Sequence, residues 1–403
     1  MRIAMISEHA DPLAAIGGVD AGGQNVHVAA LASALAARGH TVVVHTRRTS
    51  PHQAERVPMG PGVTVDYVPA GPPEPVAKDG LAPYMPEFAR ILRERWRRER
   101  PDVIHAHFWM SGQAALAAAA DVPVVLTYHA LGTVKRRWQG AADTSPPHRV
   151  DAEREIGRRA DAIVATCGDE VRELAAMGVP SERVSVVPCG VDLERFHPAP
   201  PDPLEASRWW YGPRTGGRVL CIARLVPRKG ADTVVQALRR LPGVELLIAG
   251  GVPEDGEPAR LRGLAAMHGL AGRVRLIGSV ARPDVPGLMR SADVVVSVPW
   301  YEPFGIVPIE AMACGVPVVA SAVGGHLDTV AGWGPLVPPR RPRALARALR
   351  ELLDSPQRRE ELGAAGARRA RRRYSWPRVA ERTEAVYAQV ISGRIVRLEA
   401  SGC

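Results

Sequence analysis

Two glutamates eight positions apart, Glu302 and Glu310, carry the most specific chemistry in this chain, and they bracket the run Pro303-Phe304-Gly305-Ile306-Val307-Pro308. The apolar, β-branched run at residues 294–298 just before them has the length and composition of a buried parallel strand. The first carboxylate therefore stands at a strand end, and a Phe-Gly turn follows it. A helix is predicted to begin close to Pro308, because proline is well tolerated in a first helical turn. The N–H groups of Phe304, Gly305, Ile306 and Val307 then point out of a helix N-terminus, which suits an anion or a negatively polarised oxygen. Carboxylates that accept from hydroxyls, beside N–H groups that hold negative charge, describe a ligand with both features.

Three further groups have the right types for the same ligand. In Cys221-Ile222-Ala223-Arg224-Leu225-Val226-Pro227-Arg228-Lys229-Gly230, Arg224 lies at a strand end and Lys229 just beyond a turn. A planar guanidinium fork with a mobile ammonium suits a pyrophosphate, whereas two solvated surface cations would be the plain alternative. Gly17-Gly18 and Gly22-Gly23 lie between the first strand and a helix at 26–38. Paired glycines let backbone approach a phosphate or sugar closely, although the G-x-G-x-x-G spacing of a dinucleotide loop is lacking. His129 follows an apolar strand-like run, a place where a lone histidine is more often a core group.

These residues need a scaffold, and the length of 403 residues fits two domains. Strand-like runs at 2–7, 41–45, 103–105, 122–128, 162–165 and 184–187 alternate with helical patterns. The rhythm stops at Pro198-Ala199-Pro200-Pro201-Asp202-Pro203, a stiff linker, and restarts with runs at 218–223, 245–250, 274–278, 294–298, 316–321 and 334–337. Such alternation predicts an α/β protein with two Rossmann-like domains built on parallel sheets, residues 1–197 and 204–375. Ligands sit at the carboxyl ends of strands in such sheets, so a cleft faced by both domains is expected to hold the reaction. Residues 376–403 read as a last helical segment.

Composition narrows the function classes. The net charge of +10, from 52 Lys and Arg against 42 Asp and Glu, favours anionic ligands. Nucleic-acid binding has little support, since the basic residues are dispersed and aromatic residues make up 5%. The five cysteines show no CxxC pair and no zinc spacing, so reduced thiols in a cytoplasmic protein are expected. No signal-peptide core is evident, and no apolar run approaches the roughly 20 residues that span a bilayer. The segment 87–100 carries Phe88, Ile91, Leu92 and Trp96 on one helical face and Arg90, Arg93, Arg97 and Arg100 elsewhere. That pattern suits a helix packed on its own sheet better than one lying on an anionic membrane.

The run from Glu302 to Glu310, followed by Ala311-Met312-Ala313-Cys314-Gly315, resembles the E-x7-E element of retaining GT-B glycosyltransferases of group 1 (family 4). Arg224 and Lys229 match that family's G/A-R-x4-K-G element, and Gly22-Gly23 with Val28 and Arg38-Gly39-His40 match its N-terminal one. Val323-Gly324-Gly325 resembles its second glycine pair. The resemblance implies that Glu302 contacts the donor sugar, Glu310 the ribose, and Arg224 and Lys229 the departing diphosphate. It implies Gly22, Gly23, Phe304, Gly305, Ile306 and Val307 at the donor, and His129 beside the reacting carbon. The runs from Val103 to Gly112 and from His129 to Lys135 resemble the subgroup containing sucrose-phosphate synthases and the inositol-phosphate N-acetylglucosaminyltransferase of mycothiol synthesis. That subgroup implies Asn25, Lys78, Thr133 and Arg149 at the acceptor, with Phe108 in place of a phosphate-binding tyrosine. The implied reaction is transfer from a nucleoside-diphosphate sugar, with a UDP-sugar favoured, to a hydroxyl of a cyclitol, sugar or sugar phosphate. Front-face attack would give retention without a metal or other cofactor, in a monomer or homodimer, with residues 376–403 packing back on the first domain. A lipid-linked acceptor at a membrane surface and sugar-nucleotide epimerisation are the alternatives.

Overall fold

In the computed structural model, the described residues are 1–14, 22–199, 209, 216–251 and 256–393. They form two compact units, Met1–Gly190 with the helix Trp376–Ser392, and Val191–Ser375. Most of the proline segment read as a linker, and Gly17-Gly18, lie outside the described residues. The division falls after Gly190, earlier than that segment. Residues 191–197 belong to the second unit because Val191 N–H donates to Tyr374 O at 2.7 Å and Phe196 is fully buried there.

The first unit is built on one sheet, with strands β1 (Arg2–Ile6), β2 (Thr41–Arg47), β3 (Arg56–Gly60), β4 (Val63–Val68), β5 (Val103–His107), β6 (Val124–Thr127), β7 (Ala162–Ala165) and β8 (Val184–Val186). Their order is β3-β4-β2-β1-β5-β6-β7-β8. Every neighbouring pair is parallel except β3 and β4, an antiparallel hairpin at the edge that departs from the all-parallel expectation. Gly62 makes the hairpin's turn with a φ of +74°. Central strands such as Ile3-Ala4-Met5-Ile6 are buried on both faces, as apolar β-branched runs between helical layers must be. The order reverses between β1 and β5, where open α/β sheets place their ligand crevice at the strands' carboxyl ends. Ser7, Glu8 and His9 follow β1 at that point, and Phe108 follows β5.

Two helices close the faces of this sheet in ways that bear on function. Helix Met85–Arg98 buries Phe88, Ala89, Leu92 and Trp96 in the unit's own core, so the apolar face read in the sequence is taken up by the sheet. On its solvated side Arg90 pairs with Glu94, while Arg95 reaches Asp66 at 2.6 Å and Glu55 at 2.8 Å. Among the described residues no helix is long and apolar enough to cross a membrane. Helix Trp376–Ser392 buries Trp376, Val379, Val386 and Tyr387 in one cluster with Val28, Leu31 and Leu35 of helix Gly23–Ala37.

The second unit has strands β9 (Arg218–Ile222), β10 (Glu245–Ala249), β11 (Val274–Gly278), β12 (Val294–Ser297), β13 (Val318–Ser321) and β14 (Leu336–Val337). They form a parallel sheet in the order β11-β10-β9-β12-β13-β14. Its reversal lies between β9 and β12, so the loops after Ile222 and after Ser297 share one crevice. Helix Ile306–Ala313 leads away from that crevice and packs under helix Pro356–Arg373. The two backbones approach so closely that a Cβ on Gly363 would lie 2.1 Å from Gly315 O.

Gly363→Ala tests that approach. Alanine favours an isolated helix over glycine by about 1 kcal/mol, but a clash with backbone cannot be relieved by a rotamer, and overpacking costs about 1–3 kcal/mol. We expect a net loss, read as a lower urea midpoint with unchanged slope.

Candidate active site

The crevice of the second unit is assembled by glycines that let loops touch through backbone. After β9 the chain passes Arg224, which is exposed, and a short turn, Pro227–Lys229. Gly230 follows with a φ of +73°, and a Cβ there would sit 2.1 Å from Val298 O. Arg228 O accepts from Trp300 N–H at 2.8 Å, tying this loop to the one after β12. Gly325 N–H donates to Glu302 O at 2.9 Å, and Cβ atoms on Gly324 and Gly325 would fall 2.0 Å from Glu302 O and 2.3 Å from Phe304 O. The Val323-Gly324-Gly325 pair is thus the brace behind the Glu302 turn.

On that frame Lys229 Nζ donates to Glu302 Oε2 at 2.5 Å, both side chains being mostly buried. Two residues given separate tasks in the sequence, one at the diphosphate and one at the sugar, are in direct contact. Burial pushes the Glu302 carboxyl up, but Lys229 and His326 outweigh it and hold the group below its ordinary value. Burial also lowers the Lys229 ammonium, and Glu302 only partly restores it. His326 escaped the sequence reading because an isolated histidine in Gly324-Gly325-His326 carries no spacing signal. It is fully buried, with Nδ1 3.0 Å from Ser321 O.

Gly305, with a φ of +97°, precedes helix Ile306–Ala313, whose N-terminus no side chain caps. The helix begins two residues before Pro308, which occupies its first turn, so the N–H groups of Ile306 and Val307 belong to the helix itself. A Cβ on Gly305 would lie 2.7 Å from the His326 ring, which closes that side to any other residue. Phe304 is buried and meets Tyr374 edge to face. Glu310 is buried one turn along and pairs with Arg282, whose guanidinium also stacks 4.6 Å over the Phe196 ring. Here burial wins over Arg282, and the Glu310 carboxyl is raised. Nothing in the local sequence marks Arg282, because its partner lies 28 residues away.

In the first unit, Lys78, Phe108 and Arg149 come together. Lys78 Nζ lies 5.6 Å and Arg149 Cζ 4.9 Å from the centre of the Phe108 ring. Arg149 is buried and engaged within the fold, donating to Glu153 Oε1 at 2.7 Å, Ser145 Oγ at 3.1 Å and Ala130 O at 2.7 Å. The guanidinium is thus tied to the turn after His129 through Ala130 O. Thr133 stands in helix Gly132–Gln139, next to Gly132, whose N–H donates to Glu153 Oε2 at 2.8 Å. Asn25 is drawn inward instead, donating to Asp11 O at 2.9 Å and accepting from Gly22 N–H at 3.1 Å. Gly22 and Gly23 open helix Gly23–Ala37, with space around the Gly22 Cβ position.

His129 follows β6 in left-handed backbone, with a φ of +60°. Strain of this kind, about 1–3 kcal/mol, persists where surroundings hold it, often at functional sites. Its Nε2 lies 2.9 Å from Nδ1 of His107, within a cluster that includes His27 and His105. Burial lowers all four imidazoles, His27 to about 4, His105 to about 3, and His107 and His129 well below the ordinary value. In the sequence His105 and His107 stand within the run from Val103 to Gly112, and no local pattern marks His27.

Both matches and whole-chain likenesses agree with this architecture. Residues 21–195 match the Glycosyltransferase Family 4 domain, and residues 213–369 match the Glycosyl transferases group 1 domain. The chain is 39% identical to the D-inositol 3-phosphate glycosyltransferase of Kineococcus radiotolerans, over 98% of this chain and 96% of the relative. It is 40% identical to that of Xylanimonas cellulosilytica, over 98% of each. The sucrose-phosphate synthase of Thermosynechococcus elongatus shares its fold with a TM-score of 0.89 and 32% identity, over 97% of this chain and 99% of that one. The chain belongs to the group 1 (family 4) glycosyltransferases. It is a glycosyltransferase, and its two Rossmann-like units are those of the GT-B fold.

Two outcomes test the site's electrostatics. Between about pH 6.5 and about 4 the unfolded chain binds protons that the buried histidines refuse. Stability should therefore fall as pH falls through that window, by up to about 1.4 kcal/mol per pH unit for each such histidine. Urea unfolding at stepped pH measures it. Lys229→Met leaves Glu302 buried without its cation, a change that costs about 3–5 kcal/mol at other buried pairs. Adding Glu302→Leu should recover most of that loss in a double-mutant cycle.

Proposed function

We propose that this enzyme is a retaining glycosyltransferase that moves a sugar from a nucleoside-diphosphate sugar to a hydroxyl of a phosphorylated cyclitol or sugar phosphate. The donor half of the reading is carried by one observation, the two buried glutamates Glu302 and Glu310, each on a cation beside an uncapped helix N-terminus. Glu302 accepts from the sugar hydroxyls and Glu310 from the ribose, with Lys229 turning from Glu302 to share the diphosphate with Arg224. The uridine nucleotide is placed first on the resemblance to the sucrose-phosphate and inositol-phosphate subgroup. The acceptor half is supported by Lys78 beside Phe108, over a turn held by Arg149, and by relatives whose names specify D-inositol 3-phosphate. Phe108 offers a ring where a hydroxyl would bind phosphate, so Lys78 and Thr133 carry that contact.

In the proposed step, the bond between the anomeric carbon and the diphosphate oxygen breaks as the acceptor oxygen bonds to the same face. The acceptor's proton passes to the departing phosphate oxygen. Arg224, Lys229 and the N–H groups of Ile306 and Val307 stabilise the charge that grows on that leaving group, a contribution usually among the largest in catalysis. His129 orients the donor sugar near its reacting carbon. No metal is assigned to this step.

A thermal-shift series with UDP, GDP and ADP tests the donor. One nucleotide at about 100 times its dissociation constant should add about 2.7 kcal/mol, and the gain should vanish in Glu310→Ala and Lys229→Ala. No shift with any nucleotide would end the donor reading. Nucleotide release should then depend on a phosphorylated acceptor, and Lys78→Ala should raise KM for it by about tenfold or more, the worth of one charged hydrogen bond of about 1.5–3 kcal/mol. Equal rates with inositol and inositol phosphate would refute the acceptor, and an inverted anomer in the product would refute retention.

A further inference from the structure

Four histidines crowd the carboxyl ends of β5 and β6. His105 and His107 are two apart on β5 and so share a face. His27 comes from helix Gly23–Ala37, and His129 from the turn after β6. His105 is engaged elsewhere, 2.7 Å from the Tyr387 hydroxyl and 2.9 Å from Thr127 Oγ1. The other three converge, and one ring nitrogen from each lies within 4.8 Å of the other two.

Their hydrogen bonding is incomplete in a way that points to a ligand. His107 Nδ1 meets His129 Nε2, but His107 Nε2 is buried with no hydrogen-bond partner. Native proteins seldom leave a buried polar nitrogen unanswered. His27 Nδ1 lies 3.2 Å from Cys189 Sγ, which puts a sulfur at the border of the set. Convergent imidazoles are a ligand set for borderline metals such as zinc, cobalt or nickel, whereas calcium and magnesium ask for oxygen. We propose that His27, His107 and His129 bind one divalent transition-metal ion of the zinc class.

The fit requires little movement. Metal–nitrogen bonds of about 2.0–2.1 Å in tetrahedral geometry place ligand nitrogens about 3.3 Å apart. With His107 Nε2 as its ligand atom, the three side chains, whose ligand nitrogens lie within 4.8 Å of one another, would close in by small ring rotations. The fourth position falls to Cys189 or to a water. A bound ion would tie helix Gly23–Ala37 to the ends of β5 and β6 at the point where the sheet order reverses. His129 belongs both to this site and to the proposed transfer step, so a bound ion would fix its ring beside the donor without itself entering that step.

The test uses the full-length chain stripped with a chelator and titrated with Co2+, Zn2+ and Mg2+. We expect uptake of one equivalent of cobalt with the visible absorption of a tetrahedral centre, a raised unfolding midpoint with zinc, and neither effect with magnesium. X-ray absorption on the zinc-loaded wild-type chain should count three imidazole ligands, a readout that needs no variant to fold. Because the chain has 12 histidines, His27→Gln and His107→Gln must each abolish the tight equivalent. No uptake by the wild-type chain, uptake unchanged in both variants, or fewer than three imidazoles at the metal would each overturn the proposal.

Discussion

The crevice of the second unit depends on loops stacking through their backbones. Gly230 lies against Val298, and Gly324 and Gly325 lie against the turn from Glu302 to Phe304, at distances that leave no room for a Cβ. Those contacts set where Lys229 and Glu302 emerge, and they place the start of helix Ile306–Ala313 beside them. A side chain at any of the three glycines would push a loop outward and separate charges whose value depends on being close in a poorly hydrated site. The geometry of this crevice therefore rests on residues that have no chemistry of their own.

The two glutamates show how one motif yields two different acids. Both are buried, yet Glu302 is held below its ordinary value and Glu310 above it. Glu302 faces Lys229 with His326 behind it, whereas Glu310 relies mainly on Arg282, which shares its other face with Phe196. A carboxylate that stays charged accepts strongly from sugar hydroxyls. One whose charge is disfavoured by burial depends more on its partner, so the charge on Glu310 is tied to the position of Arg282.

Much of this was legible in the sequence because local patterns carry it. Parallel strands announced themselves as β-branched runs, and the Glu302 turn as a proline and glycine within a helix start. The strands at Arg56–Gly60 and Val63–Val68 were missed, since a mixed edge hairpin lacks the uniform apolar run of a central strand. Asn25 and Arg149 stand as acceptor contacts through the resemblance alone, and only three-dimensional neighbours reveal their bonds to Asp11 and Glu153. His27, His326 and Arg282 were overlooked for the same reason, their partners lying 28 to 162 residues away in the chain.

The discontinuous first unit has a consequence for biosynthesis. Its sheet is complete by β8, but helix Trp376–Ser392, which covers Val28 and Leu31 and gives His105 its Tyr387 partner, is made only after the whole second unit. On the ribosome the second unit is contiguous and can close once Ser375 has emerged. The first must wait with an apolar face and a buried-histidine strand uncovered while about 185 residues are added, at about 5–20 residues per second. The half of the enzyme synthesised first is therefore the half that finishes folding last.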